Sequence, residues 1–179
     1  RAANRITHGQ EPNSAPAVEG DFYCLEADTP AAVLGKIITM VRDRIPARFG
    51  LDPLGDVQVL TPMNRTALGA RELNARLQEV LNPPQSGPEL QRFGWTFRVG
   101  DKVLQTVNNY QREVFNGDIG RIREIDQEDS ELTVDFDSRR VTYGFNETDE
   151  LALAYALTIH KSQGSEYPAV VIPLHTQHF

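Results

Sequence analysis

The residues with the greatest chemical potential lie together near the end of the chain, at 158–167, where the sequence reads TIHKSQGSEY. The polar side chains of this stretch can form hydrogen bonds, ionise or take up a proton, and a glycine lies among them. Apolar runs flank it at 151–157 and 169–174. A buried strand, a tight polar turn and a second buried strand are typical of an α/β sheet that presents its chemistry at its strand ends.

The residue type of His160 alone allows two interpretations. It could be a catalytic base, or a structural histidine that connects two loops. No nucleophile and no set of metal ligands accompanies His160 in the sequence. The pattern therefore disfavours independent catalysis by this turn, because one imidazole does not complete a reactive set.

The elements that must position this turn alternate between strands and helices. Apolar residues at helical spacing and at strand spacing predict the order strand, helix, strand, helix over residues 21–26, 30–45, 56–61 and 66–81. This order predicts an α/β fold with a parallel sheet and crossover helices, which the runs at 151–156 and 170–174 complete.

A different pattern interrupts this α/β part. Short β-runs joined by turns rich in glycine, asparagine and aspartate follow one another at 97–99, 102–106, 120–125, 132–136 and 141–143. About five short strands in such a segment predict a small antiparallel barrel inserted into the α/β domain. The predicted organisation is a flexible lead-in at 1–20, an inserted barrel at 91–146, and a discontinuous, incomplete α/β domain at 21–90 and 147–179.

Composition sets limits on the setting of the chain. The net charge is −7, which argues against a general nucleic-acid-coating protein but allows a local basic groove. The single cysteine, Cys24, fits a reducing compartment, and no signal peptide or membrane-spanning run is evident, so we expect a cytoplasmic protein. The chain starts at Arg1 and stops soon after a predicted strand, and we expect it to be a piece of a larger protein.

Three motifs occur in the order found in one helicase family. Residues 156–166 (ALTIHKSQGSE) resemble motif V of the RecD-like (RecD/TraA) group of superfamily 1 DNA helicases, and residues 60–65 (LTPMNR) resemble its motif IV. The segments at 100–103, 108–110 and 114–120 resemble the Src-homology-3-type barrel inserted between those motifs. The resemblance therefore implies the second RecA-like motor domain of such a helicase.

The resemblance implies an ATP-dependent enzyme that moves 5′ to 3′ along single-stranded DNA and separates duplex DNA in repair and recombination. ATP and Mg²⁺ would lie between this domain and the preceding RecA-like motor domain of the same chain. The sequence contains no G-x-x-x-x-G-K-[ST] phosphate loop, so we expect the 179 residues alone not to hydrolyse ATP and to hold no metal ion. Whether the parent protein acts alone or with the subunits of a nuclease complex stays open.

The motor-domain resemblance assigns the nucleotide site to two turns. Arg65 would be the catalytic residue, reaching the γ-phosphate with its guanidinium, although a surface arginine paired with a carboxylate is the alternative. Gln163, Gly164 and Glu166 would contact the nucleotide; a helix-capping or solvated carboxylate is the alternative for Glu166.

The same resemblance assigns the DNA track. Thr158, His160 and Lys161 would hold phosphates of single-stranded DNA without reading base identity. A polar patch on the barrel would add further contacts through Asn108, Asn109 and Tyr110, joined by Lys102, Arg112 and Asn116. Asparagine is also common in β-turns for conformational reasons, so this patch has a structural alternative. Trp95 and Phe97 are predicted to belong to the core of the barrel, with a stacking platform for bases as the alternative. A different class of function also stays open, a non-enzymatic nucleic-acid or protein-binding module built on the barrel.

Overall fold

A computed structural model describes residues 6–9, 22–137 and 139–175. Its helices are α1 (Pro30–Thr39), α2 (Ile45–Phe49) and α3 (Ala70–Leu81), and a π-helical turn, Met40–Arg44, joins the first two. Thr29 caps α1, since its Oγ1 accepts a hydrogen bond from the backbone N–H of Ala32 at 3.2 Å. Gly50 ends α2 with a left-handed φ of 68°.

A three-stranded parallel sheet carries the polar turn. It consists of β1 (Val57–Thr61), β9 (Ala156–Thr158) and β10 (Ala169–Val171), in the order β10-β1-β9. The central strand β1 is almost wholly buried, as expected of a parallel strand covered on both faces. α1 and α3 contribute Ile37, Leu73 and Leu77 to the same buried cluster as Val59.

The predicted short strands and two further strands, at 89–92 and 151–153, form two antiparallel sheets. Strands β2 (Glu89–Arg92) and β3 (Trp95–Arg98) make a hairpin. A five-stranded sheet has the order β7-β6-β5-β4-β8, with the bounds Lys102–Gln105 for β4, Ile119–Asp126 for β5, Glu131–Phe136 for β6, Arg139–Gly144 for β7 and Leu151–Leu153 for β8. The predicted combination of a parallel sheet with an antiparallel module is confirmed. Closure into a barrel and the domain boundaries stay predictions, since β7 and β8 are the edges of the sheet described here.

Two predicted strands differ from the structure. The described part of the first, 22–26, is irregular. The single strand expected over 151–156 is two strands in different sheets: β8 pairs with β4, while β9 pairs with β1. An apolar run looks the same in either sheet, so the pattern did not reveal the change.

A buried carboxylate joins the two parts of the molecule. Asp101 accepts hydrogen bonds from Asn82 Nδ2 and Tyr155 O–H on Oδ1, both at 2.7 Å. Its Oδ2 accepts from Gln78 Nε2 at 2.6 Å and from the backbone N–H of Arg98 at 2.7 Å. Burial raises the pKa of Asp101, and these four hydrogen bonds oppose the rise. One side chain therefore links α3, the hairpin and the crossing between β8 and β9.

Candidate functional site

The carboxyl ends of β1 and β9 lie at one edge of the parallel sheet. Thr61 pairs in register with Thr158, so the loops that follow these residues leave the sheet side by side. The 3₁₀ turn Ile159–Ser162 also contacts β1. The structure thus brings the loop of Arg65 and the turn of His160 to the same edge, as crossover topology requires.

The loop that carries Arg65 is fixed by backbone contacts. Thr61 Oγ1 donates to the carbonyl of Leu68 at 2.7 Å, and the N–H of Ala70 donates to the carbonyl of Met63 at 3.0 Å. A Cβ at Gly69 would lie 2.6 Å from the nitrogen of Thr66 and 2.7 Å from the carbonyl carbon of Asn64, so only glycine fits this approach. Within the described part of the chain, the exposed Arg65 side chain has no hydrogen-bond or ion-pair partner.

An open cleft of ≈ 650 Å³ lies beside Arg65, between α3 and the β2–β3 hairpin. Arg71 and Trp95 face each other across it, with the guanidinium carbon 5.8 Å from the ring centroid. Sequence reasoning missed Arg71, because nothing in the pattern places the first turn of α3 beside the hairpin. The partly buried Trp95 packs against the core as predicted and also lines the cleft.

The polar turn keeps its functional groups free. Ser162 Oγ donates to the carbonyl of Ile159 at 2.8 Å, which closes the 3₁₀ turn. The side chains of His160, Lys161 and Glu166 are exposed and form no hydrogen bond to any residue that the structure describes. Thr158 is half-buried at the end of β9, and Gln163 is exposed.

Gly164 supplies the conformation that the turn needs. Its φ is +84°, in the region that favours glycine, and no atom lies within 4 Å of the position a Cβ would take. The open space on that side leaves the backbone accessible to a ligand.

The loop at 106–118 of the inserted module shows a different use of its polar residues. Asn109 pairs with Val114 through both backbone groups, and its Nδ2 donates to the carboxylate of Glu150 at 3.2 Å. Asn108 Oδ1 accepts from the backbone N–H of Asn116 at 2.9 Å. Tyr110 is 75% exposed and makes an edge contact with Phe115, with ring centroids 5.9 Å apart. The loop is therefore braced by its asparagines and displays its tyrosine.

Lys102 does not belong to an exposed patch, and the prediction is wrong for this residue, while Arg112 is partly exposed. Lys102 is 4% exposed, and its Nζ donates to the carbonyl of Val57 at 3.4 Å. Burial lowers the pKa of Lys102 to about 8. Arg112 pairs with Glu147 at 2.6 Å and lies over the ring of Tyr143. Lys102 therefore lies in the joint between the two sheets, whereas Arg112 packs within the module.

Two family models match parts of the chain. The ATP-dependent RecD-like DNA helicase SH3 domain matches residues 73–136, and the UvrD-like helicase C-terminal domain matches residues 153–179. The ATP-dependent RecD2 DNA helicase of Deinococcus radiodurans is 38% identical over 178 residues, 99% of this chain. Over nearly its whole length, the chain is similar to a segment of this RecD-like DNA helicase. It spans 23% of the length of that relative.

A solved structure supports the fold of the chain. The crystal structure of Bacteroides Pif1 bound to ssDNA aligns with a TM-score of 0.52 at 16% identity, over 96% of this chain and 41% of that chain. The boundary between the two family models also agrees with the sheet topology. The second model begins at residue 153, where the chain leaves the antiparallel sheet for the parallel one.

The described residues also lack two kinds of feature. No group of three or more His, Cys, Asp or Glu side chains in these ranges is arranged to hold a metal ion. None of the helices described is long and apolar enough to cross a membrane.

Proposed function

We propose that this RecD-like segment works in an ATP-dependent 5′–3′ DNA helicase that acts in DNA repair and recombination. It would form one wall of the ATP site and part of the single-stranded DNA track. The observation that carries the proposal is the register of β1 with β9, which places the Arg65 loop and the 158–167 turn at one sheet edge. The parallel sheet would be part of the second RecA-like motor domain (21–90 and 147–179), and residues 91–146 would close into a barrel of the Src-homology-3 type.

Arg65 is the proposed catalytic residue. A guanidinium without a partner among the described residues can approach a γ-phosphate held by the preceding motor domain and stabilise the charge that develops on it. The glycine-dependent loop would hold the arginine ready before ATP arrives. Gln163, Gly164 and Glu166 would contact the same nucleotide.

Thr158, His160 and Lys161 would hold DNA at the other end of the turn. Hydroxyl, imidazole and ammonium groups bind phosphate oxygens without base specificity. A short turn that contacts both ligands would couple ATP hydrolysis to a shift of the DNA grip. On the inserted module, Tyr110 would stack on a base, with Asn108 and Asn109 shaping the loop beneath it.

The described residues fit one wall of a nucleotide site. They supply a cation, an amide and a carboxylate for the nucleotide, while the ligands of Mg²⁺ would come from the preceding motor domain. ATP supplies the free energy for movement when it is bound between the two domains. A non-enzymatic binding module is not favoured, because 99% of the chain aligns with a relative named as an ATP-dependent helicase.

Substitution of Arg65 tests the proposal. In the intact protein, we expect Arg65→Ala to lower the kcat of DNA-stimulated ATP hydrolysis by about 10²–10³-fold, because an arginine on the transferring phosphoryl group is worth at least that much. The dissociation constant for oligo(dT) should change less than about threefold.

Arg92→Ala is the matched control, since Arg92 is exposed on β2 and does not line the cleft. It should leave both quantities unchanged. Loss of DNA binding with normal ATP turnover in Arg65→Ala would reverse the assignment. Robust ATP turnover by the 179-residue chain alone would contradict a site shared between two domains.

A further inference from the structure

Arg71 is held in place by three features of the β2–β3 hairpin. Its guanidinium lies over the ring of Trp95, and its Nη2 donates to the carbonyl of Gly94 at 3.3 Å. A Cβ at Gly94 would lie 2.6 Å from that same Nη2, so the guanidinium occupies space that any other residue type would fill. Arg71 is therefore preorganised, which reduces the entropy lost when its guanidinium binds a ligand.

The positive charge of the cleft is not neutralised from within. Arg65 has no partner among the described residues, and Arg71 bonds only to a neutral carbonyl and a ring. Glu72 also lines the cleft, but its carboxylate accepts from Arg76 at 2.9 Å. In a chain with a net charge of −7, two arginines without carboxylate partners in one cleft indicate an anionic ligand.

A polar atom on the wall of the cleft also lacks a partner. Thr66 Oγ1 is buried and forms no hydrogen bond to any residue in the described ranges. Buried hydroxyls are normally satisfied, so this atom is available to a ligand or to water that accompanies one.

The cleft continues the edge that carries Thr158. Asn74, one turn after Arg71 in α3, is bonded in both directions to the backbone of Ala156, at 2.8 and 3.0 Å. α3 begins in the loop at the carboxyl edge, so Arg71 lies toward the Thr158 end of β9. A strand of nucleic acid held at Thr158 would reach the cleft without leaving the surface.

We propose that Arg71 binds a backbone phosphate of single-stranded DNA, and that the Arg71–Trp95 pair extends the DNA track along the hairpin of the inserted module. This inference rests on the proposed function. The guanidinium edge binds phosphate oxygens, and its outer face is available to stack on a base, the combination of charge and planar groups that suits single strands. A cleft of ≈ 650 Å³ has room for a nucleotide, and its openness lets a polymer pass.

Salt dependence in the intact protein provides the first test. Arg71→Ala should weaken oligo(dT) binding roughly tenfold at low salt. It should also reduce the magnitude of the slope of log K against log salt by about 0.7, the value for one phosphate contact on a single strand. Arg71→Lys should keep the slope, because it keeps the charge, and Arg92→Ala on the same hairpin should keep both slope and affinity.

Trp95 offers a direct readout, because it is the only tryptophan of the 179-residue chain. Oligo(dT) should change its fluorescence in the wild-type chain and in Arg92→Ala, but not in Arg71→Ala. ATP and inorganic phosphate at matched ionic strength should leave the fluorescence unchanged.

Each outcome has a separate meaning. An unchanged salt slope in Arg71→Ala, while wild type binds oligo(dT), would overturn the role of Arg71 and leave the helicase proposal standing. A reduced salt slope in Arg71→Lys as well would show that Arg71 only packs against Trp95. A change of Trp95 fluorescence with ATP would show that Arg71 binds a phosphate of the nucleotide and not one of DNA. If the intact wild-type protein did not bind oligo(dT) at all, the proposed function itself would fail.

Discussion

At the scale of single residues, the two most informative cations behave in opposite ways. Arg65 is exposed and has no partner among the residues described, whereas Lys102 is buried between β4 and β1. Motif resemblance identified Arg65, whereas Lys102 was predicted as part of a polar patch on the inserted module. The side chain of Lys102 points into the joint between the two sheets, and local sequence does not indicate this because the joint is made by residues distant along the chain, such as Val57 and Tyr167.

Lys102 should make stability depend on pH. Its pKa is about 8 in the folded chain and 10.5 as an ordinary lysine, so the unfolded state binds more protons between these values and stability rises with pH there. Charging Lys102 in the folded state costs up to about 3 kcal/mol at pH 7, given 1.36 kcal/mol per pKa unit. Lys102→Met should therefore be more stable than wild type at pH 7, by about 1–3 kcal/mol once relaxation is allowed for.

Urea unfolding at pH 7 and pH 9.5 measures this effect. The advantage of Lys102→Met should shrink by roughly 2 kcal/mol between the two pH values. The charged neighbours Arg121, Asp52 and Asp56 are present in both proteins, as are Tyr143 and Tyr155, whose pKa values burial raises. A difference that stayed constant with pH would show that Lys102 is not a desolvated cation.

At the scale of elements, the loop between β1 and α3 has one requirement that sequence alone did not reveal. Motif resemblance identified Arg65, but the need for glycine at 69 comes from contact with the backbone of Asn64 and Thr66. The φ of Gly69 is −78°, which any residue adopts, so the requirement is one of space and not of backbone conformation.

Gly69→Ala should destabilise the chain by about 1–3 kcal/mol, the usual cost of forcing a methyl group into a packed position. It should also lower DNA-stimulated ATP turnover of the intact protein, since the Arg65 loop must move. Gly87→Ala is the control, because nothing lies within 4 Å of its Cβ position. Equal thermal unfolding temperatures for the two variants would refute the close approach.

At the scale of the whole molecule, the two kinds of sheet could be predicted but their boundary could not. Turns such as Asn116-Gly117-Asp118 and the short β-runs that form β5 and β6 indicated the antiparallel module, because both signals are local. The change of sheet at Ala154 and Tyr155 depends on Gln58, whose Nε2 donates to both carbonyls, at 3.1 and 3.3 Å, from nearly a hundred residues away in the chain. Arg71 was missed because its contacts with Gly94 and Trp95 also join residues that are distant along the chain.

The Asp101 joint should govern how cooperatively the two parts unfold. Asp101→Asn places an amide N–H₂ opposite two donors, so we expect a loss of about 2–4 kcal/mol. Trp95 fluorescence and far-ultraviolet circular dichroism should give coincident urea transitions in wild type and separate ones in the variant.

Asp135→Asn is the control. It removes a surface ion pair with Arg140 and should change the free energy of unfolding by less than about 1 kcal/mol. Coincident transitions in Asp101→Asn would mean that other contacts hold the parts together.

The shared carboxylate also limits how this chain can be recombined. The module leaves the α/β part after α3 and returns at β9, a layout that invites excision or exchange for a relative's module. Removing it would take Asp101 away from Gln78, Asn82 and Tyr155 and leave three buried polar groups without their acceptor. A graft would therefore succeed only if the incoming module brought its own acceptor to the point where these three donors meet.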